Sequence, residues 1–282
     1  MEKGVLLIAY GADNYAKMAY NMALSIKHYS PNVKVALVDG GCMKKIEHLR
    51  PNWRELFDHI QTFTPEKAGQ NKVKLDLYSP FEKTLYLDID GITIKSIEPL
   101  LEGCIASGAP LLTQVHGKGG LEDRINYGIW AKNVSAWAWF DIPFDATFQA
   151  TQTSIVYFDK AQNITGKLFK KMREKFHFPS ELLTHNWGNT IPDELIYSGS
   201  AAHYGIDLDI RLVTDTHPVF FGNTRAMRFM LKDIEKANYV LSFPGSAAQL
   251  KAKYLMFAQS FLDRINRDAF KVKEVFHKKF AG

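Results

Sequence analysis

The chain opens with an unbroken apolar run, Gly4-Val5-Leu6-Leu7-Ile8-Ala9, the length of a strand buried on both faces. Gly11-Ala12-Asp13-Asn14 follow as a turn, in which Asp13 or Asn14 can cap a helix. The spacing of Ala19, Met22, Ala23 and Ile26 predicts a helix over about 15–28, closed by Ser30-Pro31-Asn32. Residues 33–38 read as a second strand. Strand, helix and strand within about 35 residues leave little choice but a right-handed βαβ unit, and so an α/β fold with a mostly parallel sheet.

A later run, Leu85-Tyr86-Leu87-Asp88-Ile89-Asp90-Gly91, reads as a buried strand that ends in two carboxylates. Alternation puts Asp88 and Asp90 on one side of the backbone and Ile89 on the other. Like charges so close repel unless a cation or a proton holds them. At the carboxyl end of a strand in an α/β sheet, that points to a divalent metal and a phosphate-bearing ligand.

Between and beyond these runs, residues 44–58 carry a helical pattern, 59–63 a short strand and 72–78 a short helix. A helical turn at 97–101 and a strand at 110–115 follow. Over 117–150 no period is visible; Gly117-Lys118-Gly119-Gly120 predict flexibility, and Trp130, Trp137 and Trp139 predict core packing or an acceptor platform. Residues 154–158 read as a strand, 166–176 as a basic helix and 238–241 as a last short strand. With 282 residues, 46% of them hydrophobic, the chain can bury a large core, and no linker divides it. The expectation is one catalytic domain over 1–250 and a helical tail over 251–282. No apolar run approaches the roughly 20 residues that cross a bilayer. Cys42 and Cys104 suit neither a disulfide framework nor a zinc motif, so a cytoplasmic protein with reduced thiols is expected.

The motifs, taken in order, resemble the glycosyltransferases of the GT-A fold, and within them family 8, the galactosyltransferase and glycogenin group. The carriers are Tyr10-Gly11-Ala12-Asp13-Asn14-Tyr15, then Lys74-Leu75, then Lys83-Thr84-Leu85-Tyr86-Leu87-Asp88-Ile89-Asp90. Ile97-Glu98-Pro99-Leu100-Leu101, Gln152-Thr153-Ser154-Ile155-Val156-Tyr157 and Asp193-Glu194 complete the order. The resemblance implies a nucleotide-sugar donor, UDP-linked, and a hydroxyl acceptor, with retention at the anomeric carbon. It implies that Tyr10, Ala12, Asp13, Asn14 and Tyr15 line the nucleotide site, with Asp13 and Asn14 reading base or ribose and Tyr15 stacking on the base. It places Lys74 near the donor and Asp88, Ile89 and Asp90 at the diphosphate, the two aspartates holding Mn²⁺ or Mg²⁺. Gln152 would lie near the sugar and Glu194 under the reacting carbon, with Asp193 beside it in the catalytic set. The family's third metal ligand is a late histidine; Ser242 stands in that place here, and His217 is the substitute candidate.

Other functions fit parts of the pattern. Asp88-Ile89-Asp90-Gly91-Ile92-Thr93 resembles the haloacid-dehalogenase phosphatase signature, with Asp88 as nucleophile and Asp90 as general acid. A non-catalytic nucleotide-sugar binder is a third reading. The acceptor is open: a glycan, a lipid-linked sugar, a protein or a modified DNA base. The net charge of +5 sits wholly in the last 32 residues, where eight Lys/Arg face three acids. Tyr254, Ala258, Phe261, Ile265, Ala269, Val272, Phe276 and Phe280 give that tail an apolar helical stripe. It suits a helix packed on its own domain, an amphipathic helix on an anionic membrane surface at the inner face, or a contact with nucleic acid.

Overall fold

The computed structural model describes residues 2–66, 69–121, 131, 133–183, 191–214, 218–221, 239–242, 259, 262–265 and 269–275. The opening run forms β1 (Lys3–Ala9), the helix after it α1 (Asp13–Tyr29), and the next run β2 (Val35–Asp39). Ala12, not Asp13 or Asn14, caps α1, and it does so without a side-chain hydrogen bond. Asp13 lies in the first turn, where its charge meets the positive end of the helix dipole.

With β3 (His59–Thr62), β4 (Lys83–Leu87), β6 (Leu111–Gly119) and β7 (Phe148–Asp159), these strands make a six-stranded sheet. Its order is β3-β2-β1-β4-β7-β6, and β7 runs antiparallel to both of its neighbours. Val5 and Leu7 of β1 pack on one face with α1 and α3 (Glu98–Ala106). Leu6 and Ile8 pack on the other face with α5 (Asn163–Lys175) and α6 (Asp193–Tyr204). Both faces are therefore covered, which is why the strands read as continuous apolar runs.

A second, three-stranded sheet of β5 (Gly91–Thr93), β9 (Val240–Ser242) and β8 (Val219–Phe221) starts where the carboxylate strand ends. The chain passes from one sheet to the other through Asp88, Ile89 and Asp90. Gly91 is required there by packing: a Cβ would lie 2.7 Å from the Leu241 carbonyl oxygen of β9.

Three expectations change. Residues 44–58 form two 3₁₀ turns, Met43–Ile46 and Trp53–Leu56, because Pro51 has no N–H and bars its predecessor from helical geometry. Gly117, Lys118 and Gly119 are strand residues, paired with Ala150, Gln149 and Phe148. The patternless stretch also contains α4 (Asn133–Phe140), on which Trp137 is buried and donates to the Pro143 carbonyl. Trp139 donates to the Lys175 carbonyl and meets Phe178 edge to face, so both tryptophans serve packing.

In the tail, the described apolar side chains Leu262, Ile265, Ala269, Phe270 and Val275 are buried in the same core as α1. The helical run is interrupted at 269–271, where the Asn21 side chain takes the place of helical partners. Asn21 donates to the Phe270 carbonyl and accepts from its N–H, each at 2.8 Å. Arg50 lies 4.5 Å from the Phe270 ring centroid and closes the joint. The expected outcome of Asn21→Ala is a loss of about 2 kcal/mol of unfolding free energy, from two buried backbone groups left unpaired. Chemical denaturation would read it as a lower midpoint; Lys167→Ala, on the exposed side of α5, should stay within about 0.5 kcal/mol.

Candidate functional site

β1 and β4 run parallel as neighbours, so their carboxyl ends open side by side at one edge of the main sheet. A cavity of about 320 Å³ lies there, lined by Tyr10, Gly11 and Tyr15 after β1 and by Tyr86, Asp88, Ile89 and Asp90 around the end of β4. Asn71, Lys72 and Asp193 complete its polar wall. Gly11 has φ +93°, a left-handed conformation that costs other residues energy, and the Tyr15 ring sits 3.4 Å from where its Cβ would be. That turn leaves Tyr15 with 42% of its surface exposed, a free aromatic face at the cavity.

The charged groups converge on Lys72. Its ammonium lies 3.0 Å from Asp88 Oδ2 and 3.3 Å from Asp193 Oδ2, and it donates to the carbonyl and hydroxyl oxygens of Thr153, each at 3.4 Å. The Tyr86 hydroxyl donates to Asp88 Oδ1, and the Thr153 hydroxyl to Asp193. Tyr197 pins the backbone carbonyl of Lys72 at 2.7 Å. Burial works against the charge on Lys72, but Asp193 and Asp88 outweigh it and hold the ammonium well above the ordinary lysine range. Burial, reinforced by Asp88, pushes the Tyr86 phenol well above its usual range, so it serves as a donor.

Thr153 reaches this cluster through a bulge. β6 and β7 lose register between Thr113 and Gln114, where Thr113 pairs with Val156 but Gln114 with Gln152. The Thr113 hydroxyl bonds the carbonyls of Gln152 and Ile155, at 3.0 and 2.6 Å, and stabilises the extra residues. Such bulges re-aim side chains beside sites.

Asp193 and Glu194 open α6 side by side and have different environments. Asp193 is paired with Lys72 and Thr153. Glu194 is pushed up to about 8, first by burial and then by the charge of Asp193. Its backbone carbonyl, not its carboxyl, accepts from Thr151.

The remaining expected residues lie elsewhere. Ala12, Asp13 and Asn14 stand at the head of α1 and do not line the cavity. Lys74 turns away to pair with Glu66 at 2.6 Å, and Lys72, two positions earlier, takes the place beside the carboxylates. The side chains of Thr151 and Thr153 point to α6, so Gln152 faces the other way, 2.5 Å from the His116 ring. Ser242 is buried in β9 opposite Gly91. His217 lies outside the described residues. Tyr86 was findable as the residue two before Asp88 on the same strand face; Thr153 was hidden by the bulge.

Three carboxylates against one ammonium give the cavity excess negative charge, which attracts cations and repels a bare diphosphate. Among the described residues no three His, Cys, Asp or Glu side chains gather as a ready metal cage. Two carboxylates at the edge of an open cavity do suit Mg²⁺ or Mn²⁺, which take hard oxygen ligands and complete their shells with phosphate and water. The donor set therefore fits.

The sign of one pH effect follows from Glu194. Its folded-state value near 8 exceeds its unfolded value near 4.5, so between these pH values the folded protein binds the extra proton. This contribution makes stability fall as pH rises from about 4.5 to 8. Glu194→Gln is expected to flatten that decline and to melt higher than the wild type at pH 8; parallel melting curves across the range would refute it.

No protein-family model and no curated protein sequence matches the chain. Solved structures do. The galactosyltransferase LgtC, in complex with donor and acceptor sugar analogues, superimposes over 98% of this chain and 100% of its own, with a TM-score of 0.57 at 14% identity. The bifunctional glycosyltransferase WbbM in its apo form gives a TM-score of 0.62 at 12% identity, over 98% of this chain and 52% of its own. An active-site mutant of LgtC gives 0.55 at 15% identity, over 91% and 95% of the two chains. At these identities the likeness is one of architecture: the chain has the GT-A fold, a mixed, mostly parallel sheet flanked by helices with its cavity at the carboxyl edge.

Proposed function

We propose that the protein is a glycosyltransferase that moves a sugar from a nucleotide-sugar donor, UDP-linked, to a hydroxyl acceptor, with retention at the anomeric carbon. The observation that carries this reading is a single cavity that joins an exposed aromatic face, Tyr15, to a cluster of Asp88, Asp90, Asp193 and Lys72. A nucleotide needs the first and a diphosphate beside a breaking sugar–oxygen bond needs the second. LgtC, which shares the fold, holds donor and acceptor sugar analogues, so a sugar hydroxyl is the acceptor we favour over protein, lipid or DNA.

Asp88 and Asp90 would hold Mn²⁺ or Mg²⁺. When bound, that ion would neutralise the diphosphate and favour its departure. Lys72 supplies a further positive charge at the same place. Asp193, paired with Lys72, faces the cavity with the negative charge that a sugar developing positive charge requires. Glu194 beside it is mostly protonated at neutral pH and can donate a hydrogen bond. Tyr15 would stack on the base. The buried free thiols of Cys42 and Cys104 agree with a reducing, cytoplasmic setting. No helix among the described residues is long and apolar enough to cross a membrane.

The phosphatase reading is not favoured. Gly91 answers to the packing of β9 and not to a catalytic loop, and the carboxylates follow the fourth strand of the chain. Asp88→Asn and Asp90→Asn are each expected to lower sugar transfer about a hundredfold or more. The same variants should lose the Mn²⁺-dependent part of UDP binding in a thermal-shift assay. Transfer at wild-type rate in either would sink the assignment, and phosphate release from a simple phosphoester would revive the phosphatase.

A further inference from the structure

Asp88 has both carboxylate oxygens engaged by the protein itself. Oδ2 takes the Lys72 ammonium at 3.0 Å, and Oδ1 takes the Tyr86 hydroxyl. The same ammonium is held by Asp193 and by both oxygens of Thr153. One charge thus bridges β4, β7 and α6, and it sits on the carboxylate that a divalent cation would use.

We infer that Lys72 is a resident counter-ion, competing with the divalent cation for Asp88 and handing that carboxylate over only when a diphosphate arrives to receive the ammonium. This rests on the reading of Asp88 and Asp90 as cation ligands. An ammonium and a divalent ion cannot share one carboxylate oxygen at contact distance without strong mutual repulsion. Lys72 that leaves Asp88 is not stranded, because Asp193 and Thr153 keep hold of it, so the side chain has two supported positions. A diphosphate favours the second position and frees Asp88 for the cation. Cation and nucleotide therefore help each other bind, and by linkage the help is equal in both directions. The site would take up its metal together with the donor and hold the bare ion weakly.

The test is calorimetric titration of the full chain with Mn²⁺ alone, with UDP alone, and with Mn²⁺ in the presence of UDP. Lys72→Met should bind Mn²⁺ alone about tenfold more tightly than the wild type. It should also lose most of the enhancement that UDP gives. Lys72→Arg, which keeps the positive charge beside Asp88, should not show the tenfold gain in Mn²⁺ affinity. Mn²⁺ affinity in Lys72→Met equal to or weaker than wild type would overturn the counter-ion role while leaving the cation site standing. If neither protein binds Mn²⁺ and UDP binds without it, the cation reading falls and the inference falls with it. Should Lys72→Met fail to fold, the Lys72 side-chain nitrogen resonance of the wild type decides. It should move when Mg²⁺ with UDP displaces the ammonium, and a resonance that stays put while both bind would refute the exchange.

Discussion

One ammonium among three carboxylates organises the functional edge of this protein. Asp88 ends β4, Asp193 begins α6, and Thr153 bulges from β7; their side chains meet because Lys72 offers all three a positive charge or a donor. Without it, Asp88 and Asp193 would repel across the cavity, and strand, helix and bulge would lose their shared anchor. The arrangement is still short of positive charge. A further cation would offset that shortage.

The architecture brings these groups together by direction. β1 and β4 are parallel and adjacent, so the turn carrying Tyr15 and the turn carrying Asp88 and Asp90 open on the same edge. β7 runs the other way, and its early residues come back to that edge beside the end of β6. The small sheet then takes the chain away from the carboxylates, with Gly91 packed against β9 too closely for any side chain. Five residues of the tail belong to the body of the fold: Phe270, gripped by Asn21, fills a place in the core, and Leu262, Ile265, Ala269 and Val275 are buried with it.

The neighbouring acids Asp193 and Glu194 show how environment separates chemically similar groups. A cation pairs with one, and burial together with the charge of that neighbour pushes the other up to about 8. Two carboxyl groups on successive residues can then do different work, one as a fixed negative charge and one as a hydrogen-bond donor.

The sequence by itself determined the sheet-forming runs, the βαβ start and the position of Asp88 and Asp90 at a strand end. These follow from local alternation and from short-range spacing, which the order of residues contains in full. It could not tell Lys72 from Lys74, since which of two lysines in a 3₁₀ turn faces the carboxylates depends on where Tyr197 pins the turn. It missed the long β6–β7 pairing, because backbone partners many residues apart leave no period in Gly117, Lys118 and Gly119. It put Gln152 near the sugar and gave Thr153 no role, whereas the bulge turns Thr153 to Lys72 and Asp193 and Gln152 to His116. Only the tertiary structure settled those points, because each depends on a contact between segments far apart in the chain, and on the charge or the space that the other segment brings.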